Sequence, residues 1–481
     1  MVVSKRLREI ESEIDDSIRE LKTWQASKAA VLEDLMRTYR DLIEVVFLRL
    51  LHAEIFDSSP GDFGKAFGNE NRIRAGILWA LKWALEYCPE GGAAGARSPK
   101  ELVNLMLLGA IYETFVDVLK YAQYGLVTIR VDEASRTIIC YEGDQVTAFD
   151  TEIVEQERIS TPTTPHFSLT EDGDQLTSRW KAGDYRRVMR SLADYAASQE
   201  NRIQVNADFL KKIGKPAISV AQPTVVWLDR PTMTPDCHVF DDLVLPTVMD
   251  SQLKWKLVSL LDTPIVNIRG QYCALSSDLK TLSVIDDYML RLAARVDERQ
   301  YSLASVLREG RMIKTCRQTL ESCSRPWTTA DRVHYVNPPQ EVDVLATRAT
   351  ERVILELKST LRPETPWEVY KRNEDLISGI RQTRALIDRG IAGHGFLVTD
   401  GYRGDYVCWA EALTSGISIA TLYDLDVIAD DPIAAGSHVK SLVGITGTRP
   451  KKLKGLPERE TNLLHWKLRL VDRAAPDDEG P

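Results

Sequence analysis

Apolar positions change their period along this chain, and the change divides it. Leu7, Ile10, Ile14, Ile18, Leu21 and Trp24 recur at spacings of three and four, which predicts an amphipathic helix over about Ser4 to Trp24. Its stripe is expected to pack on its own domain. A short coiled-coil or dimer contact is the alternative, although the stretch falls short of the roughly three to four heptads a coiled coil wants. Helical periodicity continues from Lys28 to about Ile55, resumes at Asn71–Tyr87 and again at Pro99–Tyr121, with the small-residue loop Glu90–Ala96 between the last two. Residues 1–124 are expected to form a helical N-terminal domain.

The pattern then shifts toward strands. Leu126–Val131 and Thr137–Tyr141 are rich in β-branched residues and flank Asp132-Glu133-Ala134-Ser135-Arg136, a hairpin signal. Thr161–Asp174 reads as a surface loop and Ala182–Ile213 as helix. Short strand-like runs at Thr224–Leu228 and Pro264–Ile268 precede a helical piece at Thr281–Arg295, so residues 125–300 are a mixed α+β middle region of no assignable fold. Beyond it the order is regular: a helix (about Leu303–Ser322), the strand Arg332–Val336, two strands around a tight turn (Val342–Thr347 and Arg352–Ser359), a helix (Pro366–Arg389, with Gly390 behind it), the strand Gly395–Thr399, a helix within Tyr406–Leu413 and the strand Ile417–Thr421. A strand, a crossover helix and another strand make a parallel pairing. Residues 301–430 are thus expected to be an α/β core, a central mixed sheet flanked by helices. A basic extension at 431–473 and an acidic tail at 474–481, expected to be disordered, follow.

Composition narrows the function classes. The 481 residues hold 61 Lys plus Arg against 70 Asp plus Glu, a net charge of −9. That excludes a protein coated in positive charge, but not a local basic groove for nucleic acid. No apolar run reaches the 18 or so residues of a membrane span, and Met1–Ile14 alternates charged and apolar residues unlike a signal peptide, so no membrane partner is expected. Seven cysteines without a CxxC pair argue against a disulfide framework or a zinc ribbon and point to a reducing cytoplasm. No Walker A sequence occurs, so an NTP-driven step would need a partner protein.

The chemistry concentrates in Pro338–Ser359. With the turn centred on Ala349–Thr350, Asp343 falls opposite Glu356, where Cβ atoms are about 4.5–5.5 Å apart. Val353, Leu355 and Leu357 share one face of the second strand, and Ile354, Glu356 and Lys358 the other. Opposed like charges destabilise a sheet. A divalent cation between the two acids would compensate, since Mg²⁺ takes oxygen ligands and often uses only one or two carboxylates plus waters. The bland reading is an ion-pair cluster in which Lys358 alone neutralises the acids.

With its surroundings, this segment resembles the PD-(D/E)xK nuclease superfamily in its restriction-endonuclease-like, Mrr-type form. Asp343 matches the motif aspartate, Glu356-Leu357-Lys358 the E-x-K, and Gln382 the glutamine of the following helix; the likeness covers about Leu303–Leu425. It departs from the pattern in that Val342, not proline, precedes Asp343, and that Leu386 stands where the RecB-like branch carries an aromatic. The resemblance implies that Asp343, Glu356 and the carbonyl of Leu357 bind Mg²⁺ or Mn²⁺, that Lys358 orients or activates the attacking water, and that Gln382 helps position the site. It also implies an acid from the preceding helix, for which Glu321 is the first candidate and Glu309 the second.

Arg449, Lys451, Lys452 and Lys454 form a basic stretch, and Arg381 lies beside Gln382; these are the candidate nucleic-acid contacts, with a solvated polar face as the plainer reading. The expectation is a metal-dependent nuclease cutting DNA, an endo- or exodeoxyribonuclease, restrained or oligomerised through the helical N-terminal region. A bacterial defence or restriction effector is the setting suggested by analogy. The rivals are a non-catalytic nucleic-acid-binding or scaffold subunit of the same fold, and an RNA-cutting enzyme.

Overall fold

The structure is a computed structural model that describes residues 5–55, 60–92, 97–123, 127–142, 169–216, 218–246, 262–284, 286–336, 339–359, 366–400, 402, 404, 406–442 and 459–471. The chain is mixed α/β, helical at its N-terminal end and rich in sheet toward its C-terminal end. It divides into two units. One comprises Met1–Thr147, Thr177–Val296 and Leu456–Pro481, the other Ala148–Leu176 and Asp297–Gly455.

The first unit begins with four helices: α1 (Lys5–Arg19), α2 (Lys28–Ile55), α3 (Pro60–Tyr87) and α4 (Pro99–Gln123). The stripe read from the spacing is the face α1 buries: Ile10, Ile14 and Ile18 are wholly enclosed, and Leu7 nearly so. Helix α4 is long and apolar enough to cross a membrane by length and composition, and 56% of its apolar window is buried inside the protein. The expected hairpin is present, β1 (Val127–Asp132) against β2 (Thr137–Glu142). Strand β2 pairs in parallel with Trp466–Val471, which forms a hairpin with Arg459–Leu463. These two C-terminal strands thus complete a sheet begun over 300 residues earlier in the chain. The helix expected over Ala182–Ile213 stops at Gln199. A short strand, Arg202–Gln204, intervenes before the helix Ala207–Lys212 that Asn206 caps through its side chain.

The second unit is built on a five-stranded sheet. Helix α5 (Glu298–Ser322) precedes a meander of β3 (Thr328–Val336), β4 (Pro339–Arg348) and β5 (Glu351–Lys358); helix α6 (Pro366–Asp388), strand β6 (His394–Thr399), helix α7 (Tyr406–Ser415) and strand β7 (Ser418–Thr421) follow, with α8 (Leu425–Asp430) and α9 (Pro432–Leu442) behind them. The strand order is β7-β6-β5-β4-β3. Pairing is antiparallel within the meander and parallel from β5 to β6 and β6 to β7. Helix α6 is the crossover, ended by Gly390 at φ 70, a left-handed position that glycine fills without cost.

Side chains alternate across the sheet as the pattern requires. Val344, Ala346, Val353, Leu355 and Leu357 pack on one face with Met312, Ile313, Cys316 and Leu320 of α5 and with α8. On the other face Ile354 packs with Val342, Leu386 and Ala392, while Leu397 packs with Leu376 and Ile380 of α6. The loop expected over Thr161–Asp174 is solvent-facing only in part. Residues 161–168 lie outside the described residues, while Leu169, Thr170 and Asp174 are buried. The Asp174 carboxylate is seized by both terminal nitrogens of Arg311 on α5, and this pairing draws it out of solvent.

Candidate functional site

The hairpin β4–β5 turns through Ala349 at φ 52, and its ladder runs from Arg348↔Glu351 to Val344↔Leu355. The next pair in that register is Asp343 with Glu356, the pair the turn position predicts, but the ladder stops one step short of it. Instead, Asp343 Oδ2 accepts the backbone N–H of Leu357 at 2.7 Å. On its other side β4 pairs with β3 at Val344↔Asp331 and Val342↔Val333, with no pairing between, where Arg332 takes φ 48. Alternation breaks at the same place: Val344 faces one core and Val342 the other, although they stand two residues apart. The strands part at Asp343 with the register unchanged on either side of it, so the break is a local loss of pairing rather than an inserted residue.

Strand β5 carries Glu356 and Lys358 onto the face covered by α6. Glu356 is buried, and Lys358 Nζ donates to its Oε1 at 2.9 Å. Gly379 of α6 makes room for this pair: a Cβ there would lie 2.7 Å from Leu397 Cδ1 and 3.1 Å from Lys358 Cε. A glycine inside a helical run is itself a sequence signal of close approach.

Burial, with the Asp343 charge adding to it, pushes the Glu356 carboxyl up to about 7 against the opposing pull of Lys358. Burial likewise raises Asp343, helped by Glu309 and Glu341 and opposed by the Leu357 N–H and Lys358. For Lys358, burial disfavours the ammonium, but Glu356 and Asp343 outweigh it and its pKa is raised. The ammonium therefore stays charged at neutral pH between acids that would each hold less charge alone.

The donor set suits a hard cation. Among the described residues no three His, Cys, Asp or Glu side chains cluster as a metal site. Two carboxylates and the carbonyl of Leu357 nonetheless match an ion that keeps several waters. No described residue donates to Asp343 Oδ1 or Glu356 Oε2, so each acid has one oxygen outside the protein's own hydrogen bonds.

Asp343, Glu356, Leu357 and Lys358 are thus brought together. Gln382 is exposed one turn beyond Gly379 on α6, and its carbonyl accepts from Gln340 at 2.7 Å. Arg381 is exposed and donates to Glu411 of α7 at 2.8 Å. Arg449, Lys451, Lys452 and Lys454 lie outside the described residues. Of the two acids on α5, Glu309 is the one whose charge acts on Asp343. Glu321 sits twelve residues further along, about 18 Å of helix, and bonds Thr329 and Arg317. Sequence reading missed Arg308, Ser359 and Asp400, which meet beside Lys358: Asp400 Oδ2 accepts from Arg308 at 3.0 Å and from Ser359 at 2.9 Å. Nothing in the local pattern links residues so far apart in the chain.

No family model matches this chain, and neither the curated proteins nor the solved structures contain a match to it.

Proposed function

We propose that residues 301–430 form a metal-dependent nuclease core of the PD-(D/E)xK type that hydrolyses phosphodiester bonds, with DNA as the substrate. One observation carries this reading: two desolvated carboxylates and an ammonium meet where the strands of the β4–β5 hairpin part. The strand order and the α6 crossover supply the surroundings the resemblance calls for.

Asp343 and Glu356 would hold Mg²⁺ or Mn²⁺ together with the Leu357 carbonyl. Such an ion supplies a water acidic enough to attack at neutral pH and charge to offset that of the phosphate. Lys358, fixed by Glu356, presents a permanent positive charge to the phosphoryl oxygens as negative charge grows on them. Its pairing also keeps Glu356 oriented. The ion-pair reading accounts for Lys358 beside Glu356 but not for the parting of the strands at Asp343. A large helical unit joined to a cutting core suits a restrained nuclease, such as a bacterial defence or restriction effector in a reducing cytoplasm, by analogy of architecture.

The test is incubation of the purified protein with plasmid, linear duplex, single-stranded DNA and RNA, with Mg²⁺ and with EDTA. DNA cleavage that needs Mg²⁺ is expected. Asp343→Ala, Glu356→Ala and Lys358→Ala should each lower it on the order of a thousandfold, the several kcal/mol that metal and charge stabilisation supply. Cleavage by the triple variant at the parent rate overturns the assignment. DNA binding without cleavage by the parent would make the domain a scaffold, and cleavage of RNA alone would change the substrate.

A further inference from the structure

Beside the candidate site lies a second buried polar cluster, contributed by three elements. Arg308 comes from α5, Ser359 directly follows Lys358 at the end of β5, and Asp400 directly follows β6. The two strand ends are neighbours, because Lys358 stands opposite Thr399 in the parallel register. A single oxygen, Asp400 Oδ2, accepts from Ser359 Oγ at 2.9 Å and from Arg308 Nη2 at 3.0 Å. Both charged partners are more than nine-tenths buried, with side chains 8% and 7% exposed.

The Arg308 Nε and the Thr399 hydroxyl, both buried, have no hydrogen-bond partner. A guanidinium could have met Asp400 as a two-point fork, so its contact here is spent on one oxygen shared with Ser359. Such an arrangement adds little to stability, because a buried ion pair rarely outdoes well-packed apolar residues. What it does is tie the backbone one residue past Lys358 to the end of the neighbouring strand and to α5. Residues 360–365, which come next, lie outside the described residues. Lys358 otherwise relies on Glu356 and the space at Gly379 for its placement.

We infer that Arg308, Asp400 and Ser359 are positioning residues, a brace that holds the end of β5 so that the Lys358 ammonium stays against Glu356. This deepens the nuclease reading and rests on it. A brace of this kind acts on the rate of the bound complex rather than on substrate affinity, since misplacing a reacting group by about 1 Å can cost on the order of a hundredfold.

Two variants separate the brace from folding. Ser359→Ala removes one hydroxyl and leaves the ion pair. The paired change Arg308→Met with Asp400→Leu removes both charges together, the kind of exchange that buried ion pairs tolerate. Each full-length variant is to be followed by Mg²⁺-dependent DNA cleavage, by thermal melting, and by acylation of Lys358 with a water-soluble amine reagent read by peptide mass spectrometry. The last readout needs neither metal nor activity. The paired variant should melt cooperatively, show a kcat lowered about ten- to a hundredfold with KM within about twofold of the parent, and acylate Lys358 severalfold faster. Ser359→Ala should shift kcat and acylation the same way, by less.

Parent-like kcat and acylation in the paired variant overturn the brace while the nuclease reading stands. A lowered kcat with unchanged acylation also overturns it, because the cluster would not then act through Lys358. A parent that cuts nothing removes the nuclease reading; faster acylation in the paired variant would still support the hold on Lys358, and unchanged acylation would end that too.

Discussion

The hairpin β1–β2 keeps its ladder unbroken from Val127↔Glu142 to Asp132↔Thr137, whereas β4–β5 keeps its own only from the turn to Val344↔Leu355. Both turn with a non-glycine residue at positive φ, Arg136 at 49 and Ala349 at 52. Both bury apolar side chains, Ile138 in one and Leu355 in the other, wholly out of solvent. Their acids differ. Asp132 caps its own turn, accepting from the Ser135 hydroxyl at 2.7 Å and from the Ala134 N–H at 3.1 Å, and the Ser135 bonds hold its pKa below the usual range. Glu356 is buried beside a second acid and rises to about 7. A carboxylate at the surface, satisfied by local donors and half-buried, serves the turn. One withdrawn from water, with an oxygen left over, suits the cation proposed for this site.

Core truncation should not distinguish the hairpins, and it has the largest effect. Ile138→Ala and Leu355→Ala should each destabilise their own unit by about 2–5 kcal/mol, read by chemical denaturation. A cost confined to one hairpin would mean that packing, not charge, sets them apart. Next comes Gly379→Val. Its branched Cβ meets Leu397 and Lys358, and displacing the ammonium should lower cleavage about a hundredfold while far-UV circular dichroism stays parent-like. Unchanged cleavage would show that Lys358 does not need its present place.

The pH dependence is smaller and has a definite sign. Because folding raises the Glu356 pKa from 4.5 to about 7, the native state holds a proton that the unfolded chain has lost. The metal-free domain should therefore lose stability as pH rises through that window, by on the order of 1–3 kcal/mol. Glu356→Gln should flatten this slope in thermal melts. Added Mg²⁺ should raise Tm more at pH 8 than at pH 5.5, since the ion needs the ionised carboxylate. Asp132 has the opposite sign: its lowered pKa contributes stability above its unfolded value of 3.8, lost as pH falls through its folded value. Asp132→Ala should have the smallest effect of all, a slight fall in Tm with cleavage untouched. A cleavage defect there would erase the contrast between the two hairpins.

Much of the second unit was legible in the sequence, for a physical reason. The alternation Val353, Leu355, Leu357 against Ile354 and Glu356 sets the faces of β5, and the turn fixes which residue of β4 lies opposite. The crossover helix with Pro366 at its start and Gly390 at its end then dictates the parallel partner. The parting of the strands at Asp343 was not legible, because a local loss of pairing is a backbone event and Val342, Val344 and Ala346 read as regular alternation. That the charge of Glu309 rather than of Glu321 acts on Asp343 depends on how far along α5 each stands, which helical periodicity does not encode. Contacts of high sequence separation also left no local trace: Arg308 with Asp400, and Trp466–Val471 beside β2. The helix expected through Ile213 failed at Glu200–Gln204, where tertiary pairing with Ser219–Ala221 overrode helical propensity.

The cation site proposed at Asp343 and Glu356 is tested most directly by titrating Mn²⁺ into the metal-free protein at pH 8, with bound ion followed by electron paramagnetic resonance. The parent should show a site in the second unit that Asp343→Asn and Glu356→Gln each abolish, that Lys358→Met retains, and that Mg²⁺ displaces. Equal Mn²⁺ binding by the parent and by the Asp343→Asn/Glu356→Gln double variant would contradict the account.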